Sequence, residues 1–201
     1  GKSWLTNMIP RLVNPTGGNI RLDDRDLQEF SLADLRRIIG YVPQEPTLFS
    51  DTVKNNILFG RTDISEEVLN WAVDVAQLRD EIATFPKGLD TPIGTRGMSI
   101  SGGQKQRLSL ARALAGKPRI LILDDCTSAL DSRTEDALWN RLHEVMPDMT
   151  AIMITHRPDT LRMADRIFVL DDGHLVESGT HDELIQSGGQ YARIYRRYEL
   201  T

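Results

Sequence analysis

Apolar residues along this chain fall into two arrangements. In ILIL (120–123), IMI (152–154) and IFVL (167–170) they stand in short unbroken runs, the mark of strands buried on both faces. Between such runs they recur every three or four positions, as in a helix with one buried stripe. SLADLRRII predicts a helix capped by Ser31. SEEVLNWAVDVAQL predicts one capped by Ser65, with Glu66 and Glu67 at its positive end. SGGQKQRLSLARALAGKP predicts a long helix, with Leu108, Ala111 and Leu114 on one face and Gly116 and Pro118 as its stop. SRTEDALWNRLHEVM and RPDTLRMA predict two more, and SGGQYARIYRRYEL a last short one. Residues 2–12 carry helical spacing, with Leu5, Met8, Ile9 and Leu12 on one stripe.

The strand signals fit between these helices. NIRLDD reads as a strand and turn, IGYVPQ as a strand entering a loop at Pro43–Gln44, and TAIMITH as a strand. RIFVLDDGHLVESG predicts a hairpin turning at Asp172–Gly173, and THDELI opens with a capping box from Thr180 to Glu183. PKGLDTPIGTRGMS reads as loop. The alternation predicts an α/β fold on a parallel sheet. Residues 1–50 and 116–201 form the sheet core, and 51–115 a helical subdomain.

Composition narrows the function classes. The 201 residues are 40% hydrophobic and 26% charged, a globular mix with no apolar run near the ~18 residues of a membrane span. Lysine and arginine number 24 against 29 acids, so the net charge of −5 argues against a nucleic-acid partner. The one cysteine, Cys126, excludes an intrachain disulfide and reads as small buried filler. The chain opens GKSWL, without an initiator Met, and reads as cut inside a motif.

Three stretches carry chemistry. Gly1-Lys2-Ser3 at a helix start has the form of the tail of a phosphate-cradling loop: amides and helix dipole favour an anion, Lys2 neutralises phosphate, and the Ser3 hydroxyl holds Mg²⁺. Alone, these three residues equally suit an exposed lysine. ILILDD ends a buried strand in two carboxylates, where parallel sheets bind ligands. Asp124 then holds the metal and Asp125 faces an attacking water, although either could simply cap the next turn. Ser101, Gly102 and Gly103 start a helix with bare amides and a hydroxyl, a second anion site or else a flexible loop.

Taken together, these residues resemble a known family. ISGGQKQRLSLARAL (100–114) resembles the LSGGQ signature of ATP-binding cassette (ABC) ATPases, RILILDDCTSALD their Walker B strand and D-loop, and GKS the end of their Walker A loop. VPQEP with Gln44 is similar to the Q-loop, and ITH with His156 to the switch-histidine loop. Order and spacing agree across almost the whole chain. LFSDTVKNNILFG after Gln44 and TRG before the signature further resemble the exporter subfamily.

The resemblance implies a P-loop NTPase core whose N-terminal part precedes this chain. It implies ATP and Mg²⁺ as cofactors, a cytoplasmic-face position in a membrane transporter, and contact with the membrane domain's coupling helices. It also implies a head-to-tail partner cassette. Gly1, Lys2, Ser3, Gln44, Asp124, Asp125 and His156 would serve one nucleotide, with Ser3, Gln44 and Asp124 toward the metal. Ser101, Gly102, Gly103 and Gln104 would serve the other, and Ser128 and Asp131 belong to the D-loop.

Four positions depart from the family pattern. Asp125 stands where Glu is usual, which implies ATP binding with poor hydrolysis, as in the degenerate half of a heterodimeric multidrug exporter. Ile100 replaces the usual Leu. Trp4 follows GKS in place of a small hydroxyl residue and is expected in the core. Thr95 stands where exporters often carry Glu. Two other readings stay open: a regulatory module that holds ATP without turning it over, and a soluble ABC ATPase of DNA repair or translation, disfavoured by the acidic charge.

Overall fold

The computed structural model of the chain describes residues 1–94, 97–128 and 130–199, with only the backbone of Glu199. Thr95 therefore lies outside the described residues. The chain divides into two compact units, Gly1–Pro15 with Ile154–Thr201, and Thr16–Met153. Among the described residues no helix is long and apolar enough to cross a membrane.

The first helix, α1 (Lys2–Met8), is shorter than its apolar spacing predicts. Pro10 has no N–H to extend the ladder, and Arg11 turns to a φ of 52°. The expected stripe is not buried either: Leu5 is 49% and Leu12 54% exposed. The buried residue is Thr6, whose hydroxyl donates to the Ser3 carbonyl at 3.1 Å. Trp4, expected in the core, is 64% exposed. It lies two residues from Thr6, about 200° round the helix, and so faces the opposite side.

The unit Thr16–Met153 holds the parallel strands. Its opening hairpin, β1 (Arg21–Leu22) and β2 (Arg25–Asp26), turns through Asp23 and Asp24, both at positive φ as a type I′ turn requires. Ser31 caps α2 (Leu32–Arg37) as expected, its oxygen accepting from the Asp34 amide at 3.1 Å. Next come β3 (Ile39–Val42), β4 (Asp51–Thr52), α3 (Val53–Leu58), α4 (Glu66–Val75) capped by Ser65, α5 (Arg79–Ala83), β5 (Pro92–Ile93) and α6 (Gly102–Leu114). β5 lies inside the stretch read as loop. It pairs antiparallel with β4, and a two-residue strand owes its existence to that distant partner.

After α6 come β6 (Ile120–Asp124), α7 (Ser132–Val145) and β7 (Thr150–Ile154). The sheet runs in the order β3–β6–β7, with β3 parallel to β6. Every residue of β6 is buried. Gly40 lets α6 lie close to β3: a Cβ there would stand 3.0 Å from Pro118 Cγ and 3.3 Å from the Ala113 Cβ. The core joins Val42, Leu121 and Leu123 of the sheet to Ile57, Leu69, Leu108, Ala111, Leu114 and Leu138 of the helices. Burial of each Leu or Ile side chain stabilises the fold by about 1.5–3 kcal/mol. Asp131 caps α7, accepting from the Thr134 amide at 3.0 Å and the Thr134 hydroxyl at 2.7 Å. These bonds, the hydroxyl's first, hold the Asp131 carboxyl below its ordinary pKa.

The second unit continues with α8 (Pro158–Met163), β8 (Ile167–Asp171), β9 (His174–Gly179), α9 (His181–Ser187) and α10 (Gln190–Glu199). β8 and β9 form the expected hairpin, with Asp172 and Gly173 at φ of 44° and 78°. Thr180 and Glu183 make both halves of the expected capping box. Ile167, Val169, Leu184, Tyr191 and Tyr195 form this unit's apolar cluster. His181 lies edge-on to both tyrosines, its Nδ1 2.8 Å from the Tyr191 oxygen, and Arg162 donates to the Tyr195 hydroxyl. Burial pushes the Tyr191 phenol up to about 12. The start of α10 is capped from β9, where the Glu177 carboxylate accepts from the amides of Gln190 and Tyr191. A Cβ on Gly189 would land on that carboxylate and have to displace it.

Two predictions follow from these caps. Glu177→Ala should lower stability by about 1–2 kcal/mol in denaturant unfolding, and Gly189→Ala should do so by displacing the same carboxylate. A lowered folded pKa means that the charged cap of Asp131 acts in full above the ordinary aspartate value of about 3.9. Its contribution disappears as pH falls through the folded value. The stability difference between the protein and Asp131→Ala, followed by thermal unfolding across pH, should therefore shrink with acidification below that range.

Candidate active site

The site begins with strand register. Val42 of β3 lies opposite Leu123 of β6, so the next residues, Pro43–Gln44 and Asp124–Asp125, leave the sheet at the same edge. The Gln44 side-chain amide accordingly donates to Asp125 Oδ2 at 3.4 Å, across 81 residues of sequence. Asp124 closes β6 and is only 4% exposed. Asp125, half-buried, takes a φ of 46°. This left-handed backbone suits a short polar side chain better than most L residues.

The chain beyond Asp125 is tied back to it. The Ser128 hydroxyl donates to the Asp125 carbonyl at 3.1 Å and accepts from Gln106 Nε2 at 3.2 Å. Cys126 is buried inside this turn, and burial pushes its thiol up to about 12. It is therefore neutral near pH 7, in keeping with the reading as filler.

At the head of α6 the Ser101 hydroxyl accepts from the Gln104 amide at 3.2 Å, while Gln104 Oε1 accepts from the Ser101 amide at 2.9 Å. This is a full capping box. Its S-x-x-Q spacing is itself the sequence signal, masked by the glycine pair within it. The helix dipole and the first amides, at Gly102 and Gly103, are what α6 offers an anion. Farther along, Arg107 anchors α6 by donating to the Gln77 carbonyl at 2.7 Å and pairing with Glu81. Arg112 donates to the Asn56 carbonyl at 2.8 Å and lies over the ring of Phe59.

The remaining predicted residues belong to the other unit. Gly1 is the N-cap of α1, Lys2 is exposed and Ser3 half-buried. His156 follows β7, its ring 5.2 Å from that of Tyr198 on α10. Gln106 and Tyr198 are the residues that sequence reading passes over. Gln106 had a signal: it is a polar residue in line with Leu110 and Ala113. Tyr198 had none, because its contact depends on tertiary placement. Among the described residues no cluster of three or more His, Cys, Asp or Glu side chains forms a metal site.

Comparison with known proteins completes the assignment. The ABC transporter family profile matches residues 1–128. A protein of Staphylococcus aureus (strain NCTC 8325 / PS 47), named for multidrug export as an ATP-binding/permease protein, is 46% identical over 195 residues. Those residues are 97% of this chain and 34% of the relative. Its counterpart in strain COL matches to the same extent. The chain thus spans about a third of the length of these relatives. A structure described as a bacterial Atm1-family ABC exporter with ATP bound superposes with a TM-score of 0.93 at 40% identity, covering 98% of this chain and 35% of that one. The α/β architecture, the order of the motifs and these matches agree: the chain belongs to the ABC transporter family.

Proposed function

We propose that this chain is the ATP-binding and hydrolysing domain of an ABC exporter, coupling ATP-driven closure of two such domains to substrate export across a membrane. The observation that carries it is the delivery of Gln44 and the Asp124–Asp125 pair by parallel strands to one sheet edge, where such sheets hold ligands. The ATP of the structural neighbour and the export function in the relatives' names support the same reading. In it, residues 1–50 and 116–201 form the ATPase core and 51–115 the helical signature subdomain. The chain acts at the cytoplasmic face, attached to membrane helices.

Each residue then has a role. Lys2 neutralises the β- and γ-phosphates, with the first amides of α1 beside it. The Ser3 hydroxyl, the Gln44 carbonyl and Asp124 are hard oxygen donors suited to Mg²⁺, which would offset phosphate charge. The Gln44 fit is specific: its nitrogen is engaged by Asp125, so its oxygen is the end left for a cation. Asp125 orients the attacking water, and His156 assists at the γ-phosphate. The amides of Gly102 and Gly103, with Ser101 and Gln104 fixing the helix start, face the nucleotide held by a partner cassette. Ser128 and Asp131 shape the D-loop between the two.

Asp125 makes this site slow. A carboxylate one methylene shorter than Glu retracts by roughly 1 Å, a misplacement that can cost ~10²-fold in rate. That points to the hydrolysis-impaired half of a heterodimer. The Gln44–Asp125 bond favours a second reading, a site that holds ATP as a regulatory clamp without turning it over.

Site-resolved turnover in the full-length transporter separates them. Asp125→Glu should raise turnover roughly 10- to 100-fold at unchanged ATP affinity. Equal turnover in the two forms would sink the slow-site reading, and a complete lack of wild-type turnover would favour the clamp. Lys2→Ala should weaken ATP binding about tenfold or more, measured by equilibrium titration with a fluorescent nucleotide.

A further inference from the structure

We propose that Gln106 is a positioning residue for Asp125, acting through Ser128, so that the signature helix and the loop bearing the catalytic carboxylate move together. This rests on the nucleotide reading above and adds to it a link inside the chain between its two nucleotide-facing surfaces.

Gln106 is only 7% exposed on α6, beside Ser109 at 3% and Leu110 at 2%. A buried amide is costly unless it is hydrogen-bonded, so its presence needs a bonded role. The bond to Ser128 supplies one. The Ser128 hydroxyl has a single proton, and that proton goes to the Asp125 carbonyl. The lone pair left on the oxygen is what Gln106 fills. Amide, hydroxyl and carbonyl thus form a directed chain whose members polarise one another.

The chain acts on the right bond. Asp125 holds a left-handed φ of 46°, a region that Asp tolerates better than most L residues and that its surroundings can select. Pinning its carbonyl fixes the peptide plane on the far side of its Cα, and with it the direction in which the carboxylate leaves the backbone. Gln44 holds the carboxylate itself. Asp125 is therefore held at both ends, once from β3 and once from α6.

The other end of α6 explains why the link matters. Ser101 lies five residues before Gln106, about 7.5 Å along the axis. The capping box makes this stretch stiff. An anion that draws the helix tip moves Gln106 with it, and the 3.2 Å bond carries the Ser128 hydroxyl, and so the Asp125 carbonyl, in the same direction. Occupancy at the signature is thereby felt at this chain's own carboxylate, a coupling between two sites through named atoms.

The test uses the full-length transporter carrying Asp125→Glu, so that turnover is large enough to fall. Gln106→Leu, Ser128→Ala and the double variant are compared for ATP affinity and for turnover at saturating ATP. The expected result is affinity within about twofold of the parent and turnover roughly 10- to 100-fold lower. The double variant should be no slower than the slower single one, because both break the same chain. Gln106→Glu, nearly isosteric, replaces the donor with an acceptor, so Ser128 turns to it and releases Asp125; it should show the same loss even if the leucine variant folds poorly. Unchanged turnover in both Gln106 variants, or losses that multiply in the double variant, would overturn the proposal. A parent that binds no ATP would instead overturn the nucleotide reading, and this link with it.

Discussion

The burial of β6 on both faces is the constraint on which the site depends. A strand with all five side chains enclosed cannot slip by one residue without moving every side chain into space packed for a neighbour on the opposite face. Its register against β3 is therefore fixed, with Val42 opposite Leu123. Two residues farther on, that register alone puts Gln44 beside Asp125. The polar chemistry at the sheet edge is thus placed by apolar packing within the sheet, and Gly40 serves the same end by letting α6 close on β3.

Asp125 sits where two demands conflict. Its left-handed backbone favours Asp over longer side chains, since a short carboxylate tolerates that conformation. In the proposed hydrolysis Glu would be favoured, because it would reach farther toward a water; on that reading the local conformational preference is met at the cost of reach. The same residue type also lets Gln44 hold the carboxylate from the neighbouring strand.

Much of this was legible in the sequence, and the failures share a cause. Ser31, Ser65, Thr180 and the Asp172–Gly173 turn are local signals, and each appears where its spelling puts it. The buried stripe of Leu108, Ala111 and Leu114 was equally plain. What sequence could not supply was the identity of the opposing surface. Leu5 and Leu12 have the right spacing for a buried face, but the covered side of α1 is that of Thr6. β5 exists because β4 lies beside it, and the Ser101 cap was hidden by glycines that also suit an anion. Gln106 reads in the sequence as one more polar residue; its burial and its Ser128 contact come only from the tertiary structure.

The Glu177 cap ties together pieces that are separate in sequence. Because the carboxylate on β9 holds the first amides of α10, opening of the strand also removes the cap from those amides. Hairpin and terminal helix consequently make one cooperative unit of local opening, in which a weakened turn at one end loosens the coil at the other.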